Sequence, residues 1–387
     1  HHIVCDGWSF GVLLSELPTF LSSSESAHAL PKADAYADYA ETRHDTIHQQ
    51  QADLDTRYWV SIFDRSTPAL DLPTVRPRQP VRSFASRRED LRIEPALYDA
   101  VRKLGARHGT SLFATLLVVY AALISRVCGQ DDVVVGVSAA GQSAEGSNSL
   151  VGHCVNLLPI RLKVDSESDL SSLLQKARSA VLDAYEHQSV SFGGLLKHLQ
   201  IPREPGRLPL VSVLFNLDAR LDTNAYSALG LQADIFSNPR SAENFELYLN
   251  VTQDAQGLLL ECQYKTDLFD RATVQRWLAL YREALVRATN EPNQTLAALL
   301  APPPAEQALL AQWNETARDY PTGLRLDALL VHRLQVSPDA TALVFEGQSL
   351  SYRDLHAHAR QLAHALRERG AGPGVLVGVC LERSLEL

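Results

Sequence analysis

The chain opens on HHIVCDGWSF, residues 1–10: two adjacent histidines, three spacers, then Asp6 and Gly7 running straight into an apolar helical pattern. Phe10, Leu13, Leu14 and Leu17 recur at i, i+3, i+4 and i+7, so a helix is expected directly after Asp6-Gly7, with Ser9 as its N-cap and Pro18 ending or kinking it. Histidine is the side chain best suited to exchanging a proton near neutral pH, and one imidazole facing a cleft can serve acyl transfer as a general base. On an extended segment His1 and His2 point to opposite sides, so only one of them can face a reaction. Asp6 then has three readings: it orients His2, it pairs with an arginine to fix the loop, or it caps the turn beside two packed histidines. A metal centre fits poorly, because HHxxxD offers no third ligand at helical spacing.

Composition narrows the setting. With 387 residues, 45% of them hydrophobic and 21% charged, the chain has the balance of an ordinary globular protein of two to three domains. Its formal charge is −9 and its basic residues are scattered singly, so no footprint for nucleic acid is present. Five cysteines, an odd number without CxxC spacing, argue for reduced thiols and a cytoplasmic location rather than a disulfide framework or zinc knuckle. The most apolar run, SLFATLLVVYAALISRV, is too short and too polar to span a bilayer, and no signal peptide opens the chain, so no membrane association is expected. Met is absent and the chain begins on a motif, which leads us to expect a piece of something longer.

Further along, a polar helical stretch over residues 37–63 gives way to STPALDLPTVRPRQPV, whose four prolines suit an extended connection and an internal boundary. Helices are expected in EPALYDAVRKLGARHG, SLFATLLVVYAALISRVCG, DLSSLLQKARSAVLDAYEHQ and RATVQRWLALYREALVRATN. Strands are expected in DDVVVGVSAA, PLVSVLFNLD, FELYLNVTQ and LLLECQYKT. Three consecutive prolines near residue 303 mark a linker, and a new domain is expected from about residue 320. It opens with a hairpin around Glu346-Gly347, then a helix with Ser351 and Asp354 as its capping box, ending at Gly370 and followed by a Val-rich strand. HDTIH (His44 to His48) imitates a zinc-protease motif, but Asp is too short for the glutamate's task and a solvated helix face accounts for it better.

Several segments together carry a family resemblance. HHIVCDGWS resembles the HHxxxDG signature of nonribosomal peptide synthetase condensation domains. In the same order along the chain, YADYAETRH (Tyr36 to His44), SLVGHCVNLLPIR (Ser149 to Arg161), YEHQSVSFGGLL (Tyr185 to Leu196) and REPGRLPLVSVLFNLD resemble four further segments of that family. WNETARDYP and LSYRDL are similar to the entry of an adenylation domain. The resemblance implies an α/β, chloramphenicol-acetyltransferase-like two-lobed condensation fold with its first lobe truncated, plus the beginning of an α/β adenylate-forming domain. Residues 1–75 would end the first lobe, 76–290 form the second, 291–320 link, and 321–387 start the adenylation domain.

The implied reaction is amide formation, in which the amine of an acceptor aminoacyl thioester attacks a donor acyl or peptidyl thioester. His2 would be the reactive histidine, with Asp6 and Gly7 completing the catalytic set and Trp8, Asn156, His187 and Gln188 binding substrate. No cofactor would bind directly: both substrates ride on phosphopantetheine arms of upstream and downstream peptidyl carrier domains, and ATP with Mg belongs to the complete adenylation domain. The family's arginine before the LVGxxVN segment is Gln142 here, so an ion pair from Asp6 to that position is unavailable, and anchoring of Asp6 through some other arginine is the expectation. Ser191 stands where proline is common. An epimerisation domain of the same superfamily and a degenerate carrier-docking module are the alternatives, the first needing a carboxylate base elsewhere.

Overall fold

A computed structural model describes residues 2–22, 30–63, 69–144, 146–202, 204, 206–218, 223–235, 237–254, 256–320 and 322–387. The chain divides into two compact units, residues 1–308 and 309–387.

The first unit is built on a six-stranded mixed sheet of order β1-β6-β5-β4-β2-β3, from β1 (Ser86–Ile93), β2 (Asp132–Ala140), β3 (Val155–Lys163), β4 (Val213–Asp218), β5 (Leu247–Asp254) and β6 (Gly257–Lys265). The pairs β2/β4 and β4/β5 are parallel and the other three antiparallel. Helices Pro95–Arg107, Leu112–Cys128, Leu170–Glu186 and Arg271–Asn290 pack against it. Each of the last three begins where a short polar side chain accepts a first-turn N–H: Ser111 from Ala114 at 3.1 Å, Asp169 from Ser172 at 2.7 Å and Asp270 from Thr273 at 2.8 Å. Helix Leu112–Cys128 is buried from Ala114 through Ser125 and stops at Gly129, whose φ of 64° is the left-handed conformation glycine tolerates best. No single helix among the described residues is long and apolar enough to cross a membrane. Strands β1 and β3 join the four expected from the sequence.

The opening helix, Gly7–Ser22, departs from expectation at its cap and runs on past Pro18. Its cap is Asp6, not Ser9: the Asp6 carboxylate accepts the Ser9 N–H at 2.9 Å, while the Asp6 carbonyl accepts the Phe10 N–H at 3.1 Å. Its apolar stripe is open, with Phe10, Leu13 and Leu17 exposed and Ser9 and Pro18 buried. Pro18 also does not end it. A proline leaves the carbonyl four residues earlier without its helical donor, and that carbonyl, Leu14 O, accepts the Tyr226 hydroxyl at 2.6 Å. The side chain from a segment 212 residues away thus replaces the missing backbone bond.

This exchange makes a prediction in two steps. Tyr226→Phe should lower stability by about 1–2 kcal/mol, because it strands a partly buried carbonyl. In a Pro18→Ala background the alanine N–H can serve Leu14, so Tyr226→Phe should cost distinctly less. Chemical denaturation of the four proteins of this cycle measures the coupling, and equal costs in both backgrounds would refute the substitution of one donor by the other.

The second unit holds helix Leu326–Val336, the antiparallel hairpin β7 (Thr341–Phe345) and β8 (Gln348–Ser351), and helix Tyr352–Glu368. Glu346 and Gly347, at φ 47° and 80°, make the hairpin turn, and Ser351 caps the helix by accepting the Asp354 N–H at 3.1 Å. The helix stops at Glu368, ahead of Gly370 with its φ of 89°. The expected Val-rich strand after it is not formed: the sheet of this unit contains β7 and β8 alone among the described residues. Valine enrichment signals a strand only where a neighbouring ladder is there to take its N–H and C=O groups.

Candidate active site

The Asp6 side chain is 1% exposed and lies between the start of helix Gly7–Ser22 and the segment joining β2 to β3. One oxygen accepts the Ser9 N–H at 2.9 Å and the Ser9 hydroxyl at 2.7 Å. The other accepts the Cys154 N–H and the Gln142 side-chain amide, both at 2.9 Å. All four partners are neutral. The expected arginine is therefore replaced by two backbone N–H groups, a hydroxyl and the amide of Gln142, the same residue whose presence had removed the ion pair. Ser9 extends the clasp, since its hydroxyl, whose one hydrogen goes to the nearer Asp6 carboxylate, also accepts the Gly152 N–H at 3.0 Å.

Burial pushes the Asp6 carboxyl up, but the hydrogen bonds from Cys154, Ser9 and Gln142 outweigh it and hold the group below its ordinary value of 3.8. A depressed carboxylate contributes stability above its unfolded value and loses it as pH falls through the folded one. The stability gap between wild type and Asp6→Asn should accordingly be full at neutral pH and narrow only below pH 3.8, which denaturant titrations at several pH values would measure.

A second clamp holds the same segment from outside. Ser149 donates to Asp34 at 2.7 Å, and the Tyr36 hydroxyl donates to the His153 carbonyl at 3.3 Å. A Cβ at Gly152 would overlap the Tyr36 ring, and one at Gly141 would lie 2.6 Å from the Cys154 carbonyl and 2.8 Å from the Tyr39 hydroxyl. Glycine at both places is a requirement of close approach. Tyr36 and Tyr39, in helix Tyr36–Thr42, thereby press on the loop that fastens Asp6.

His2 stands exposed next to this clasp, with its ring in edge-to-face contact with His153, centroids 5.0 Å apart and planes at 89°. His1 lies outside the described residues. At Gly7 an added Cβ would meet nothing within 4 Å, so the backbone there borders open space. Trp8, half-buried, donates its indole N–H to the Asn148 carbonyl at 3.1 Å.

The other residues singled out in the sequence form a separate group around the end of helix Leu170–Glu186. Asn156 donates to the carbonyls of Gln188 and Val190 at 3.0 and 2.8 Å and accepts the N–H groups of Leu157 and Phe192 at 2.9 and 3.1 Å. Its hydrogen-bonding capacity is filled by the protein itself. His187 caps the helix, and its ring lies 4.0 Å from that of Tyr58, whose hydroxyl burial, with Asp183 and Glu186, pushes up to about 12. The His187 carbonyl accepts the Trp59 indole N–H at 2.7 Å. Gln188 donates to the Tyr185 carbonyl at 2.7 Å and, with Asn156, Gly141, Arg43 and His48, lines a cavity of about 260 Å³. Buried Asp55 supports this turn by accepting the Ser189 N–H at 2.7 Å.

Comparison with known proteins gives the family of the chain. A condensation-domain model matches residues 1–311, most of the chain, and an AMP-binding enzyme model matches residues 330–387. The chain belongs to the condensation-domain family. It continues into the start of an AMP-binding domain, the arrangement of a nonribosomal peptide synthetase. It is 33% identical over 391 residues to malpinin synthetase of Mortierella alpina, and 33% identical over 391 residues to tyrocidine synthase 2 of Brevibacillus parabrevis. Both alignments cover 100% of this chain but only 5% and 11% of those proteins. In fold it is similar to a holo four-domain nonribosomal peptide synthetase bound to AMP and glycine, with a TM-score of 0.71 and 20% identity over 96% of this chain and 29% of that one. The condensation domain of the monacolin K polyketide synthase is also similar, with a TM-score of 0.64 and 20% identity over 77% of this chain and 70% of that one.

Within this condensation domain, sequence reading named Asp6 but missed the residues that hold it: Ser9 as a clasp, Gly152, and the Cys154 N–H. It missed His153 altogether. These last three lie in SLVGHCVN, 143 residues and more from the histidine motif, and the signal available was a glycine set between an apolar pair and a histidine.

Proposed function

We propose that the protein carrying this chain forms amide bonds in nonribosomal peptide biosynthesis, with His2 handling the proton of the attacking amine. The observation that supports this most is the combination of an exposed His2 with a neighbouring carboxylate wholly committed to holding its loop. Asp6 spends both oxygens on four donors, which leaves it the role of anchor and His2 the role of base.

An α-amine has a reference pKa of about 7.7–8.0, so a fraction is already neutral near pH 7. The harder step is removal of the proton from the zwitterionic adduct that forms when the amine adds to the thioester carbonyl. In this reading the amine nitrogen bonds to the donor carbonyl carbon, His2 takes the proton from that nitrogen, and collapse of the adduct expels the carrier thiolate, which is protonated in turn. The open space at Gly7, at the N-terminus of a 16-residue helix, lets the developing oxyanion approach first-turn N–H groups that have no partner within the helix. Trp8, Asn156, His187 and Gln188 shape the walls through the bonds described above.

The donor and acceptor would arrive on phosphopantetheine arms of upstream and downstream carrier domains, and ATP with Mg would serve the complete AMP-binding domain. We further propose that residues 1–75 finish the first lobe of the condensation domain, 76–290 form its second and 321–387 open the AMP-binding domain. The exposed stripe of Phe10, Leu13 and Leu17 would be covered by the remainder of the first lobe. A cytoplasmic location, with neither nucleic acid nor membrane as partner, completes the reading.

The test supplies the synthetase module containing this chain with donor and acceptor loaded on carrier domains, and follows the masses of the carrier-bound species. A dipeptidyl or acyl-aminoacyl product on the acceptor carrier is expected. Exchange of the donor Cα proton without product would make it an epimerising domain, and stable carrier binding with neither reaction would make it a docking module.

A further inference from the structure

We infer that His153 is a positioning residue for amide formation, its imidazole confining His2 to one ring orientation. This rests on the reading of His2 as the residue that takes the amine's proton.

Three observations carry it. The two imidazoles meet edge to face at 5.0 Å and 89°, the arrangement aromatic rings favour because the positive edge of one meets the negative face of the other. The backbone around His153 is held at three consecutive residues: the Gly152 N–H before it donates to the Ser9 hydroxyl, the Cys154 N–H after it donates to Asp6, and its own carbonyl accepts from Tyr36. The same carboxylate, Asp6, fastens the loop bearing His2 and the loop bearing His153, so the distance between the two rings is set by one buried clasp.

An exposed histidine otherwise has about six orientations, three at χ1 and two at χ2. If one of them serves the reaction, releasing the ring dilutes the competent state by up to about six-fold. An edge-to-face contact is worth about two- to ten-fold in population, which against five alternatives raises the favoured orientation from about one-sixth to about 30–70%.

The expected results follow in the carrier-loaded synthetase module. His153→Ala lowers kcat by about two- to four-fold, with KM for the acceptor carrier unchanged. His153→Phe, which keeps a ring in place, restores most of the rate. Both variants keep the wild-type melting temperature, because the side chain is exposed. In a His2→Ala background, His153→Ala has no further effect, as required of a residue acting through His2. An unchanged kcat in His153→Ala, a Phe variant as poor as Ala, or an additive loss in the His2→Ala background would each overturn the inference while leaving amide formation standing. A wild-type module that forms no amide would overturn the underlying reading, and this inference with it.

Discussion

Replacement of His2 by alanine is expected to cut amide formation by about 10²–10⁴-fold, the usual worth of a positioned general base, with no change in melting temperature. His2 is exposed and the ring it touches is another exposed imidazole, so little packing is lost. Carrier-domain affinity should hold as well, because the substitution removes one small side chain and leaves the clasp around Asp6 whole. Single-turnover rates with preloaded carriers, alongside a thermal melt, separate these effects. Full activity in the variant would remove His2 from the chemistry.

Asp6 should behave in the opposite way, losing stability and turnover together. Asp6→Ala leaves the buried N–H groups of Ser9 and Cys154 and the Gln142 amide facing one another without an acceptor. Each stranded donor costs about 1–3 kcal/mol, and partial rearrangement should leave a total of about 3–5 kcal/mol. Asp6→Asn should be milder, at about 1–3 kcal/mol, since the asparagine carbonyl still satisfies one side of the clasp and Gln142 can turn its buried carbonyl, which has no partner among the described residues, toward the new amide. Gln142→Ala should fall at the lower end of the same range, because two backbone donors and a hydroxyl still hold the carboxylate. An Asp6→Asn protein as stable as wild type yet inactive would show instead that Asp6 meets the substrate directly.

The helices of the first unit were legible because their signals are local. Ser111, Asp169 and Asp270 stand next to 3.6-residue periodicity, and each caps its helix as its chemistry suggests. The hairpin at Glu346-Gly347 was legible for the same reason. Harder to see was β1, whose SRREDLRI sequence is too charged to read as a strand; at the edge of the sheet Arg92 pairs with Asp254 at 2.8 Å and Glu89 with Arg271 at 3.0 Å. The role of Asp6 was only half visible. Its place before a helix announced a cap, but its other oxygen is bound by residues 136 and 148 positions away, and no local pattern encodes that pairing. The resemblance to condensation domains found the motif, while the departure at Gln142 pointed away from the bond that Gln142 makes.

The bond from Tyr226 to Leu14 bears on how the His2 loop can move. Together with the Asp6 clasp it pins one helix at two heights, at its first residue and again midway along, to segments that flank β2, β3 and β4. A rod nailed at two points cannot pivot about either. The imidazole of His2 is thereby tied, through that helix, to the segments that flank the central strands as part of one piece. Proline at position 18 is what makes the second nail possible, by leaving a carbonyl for a distant residue to take.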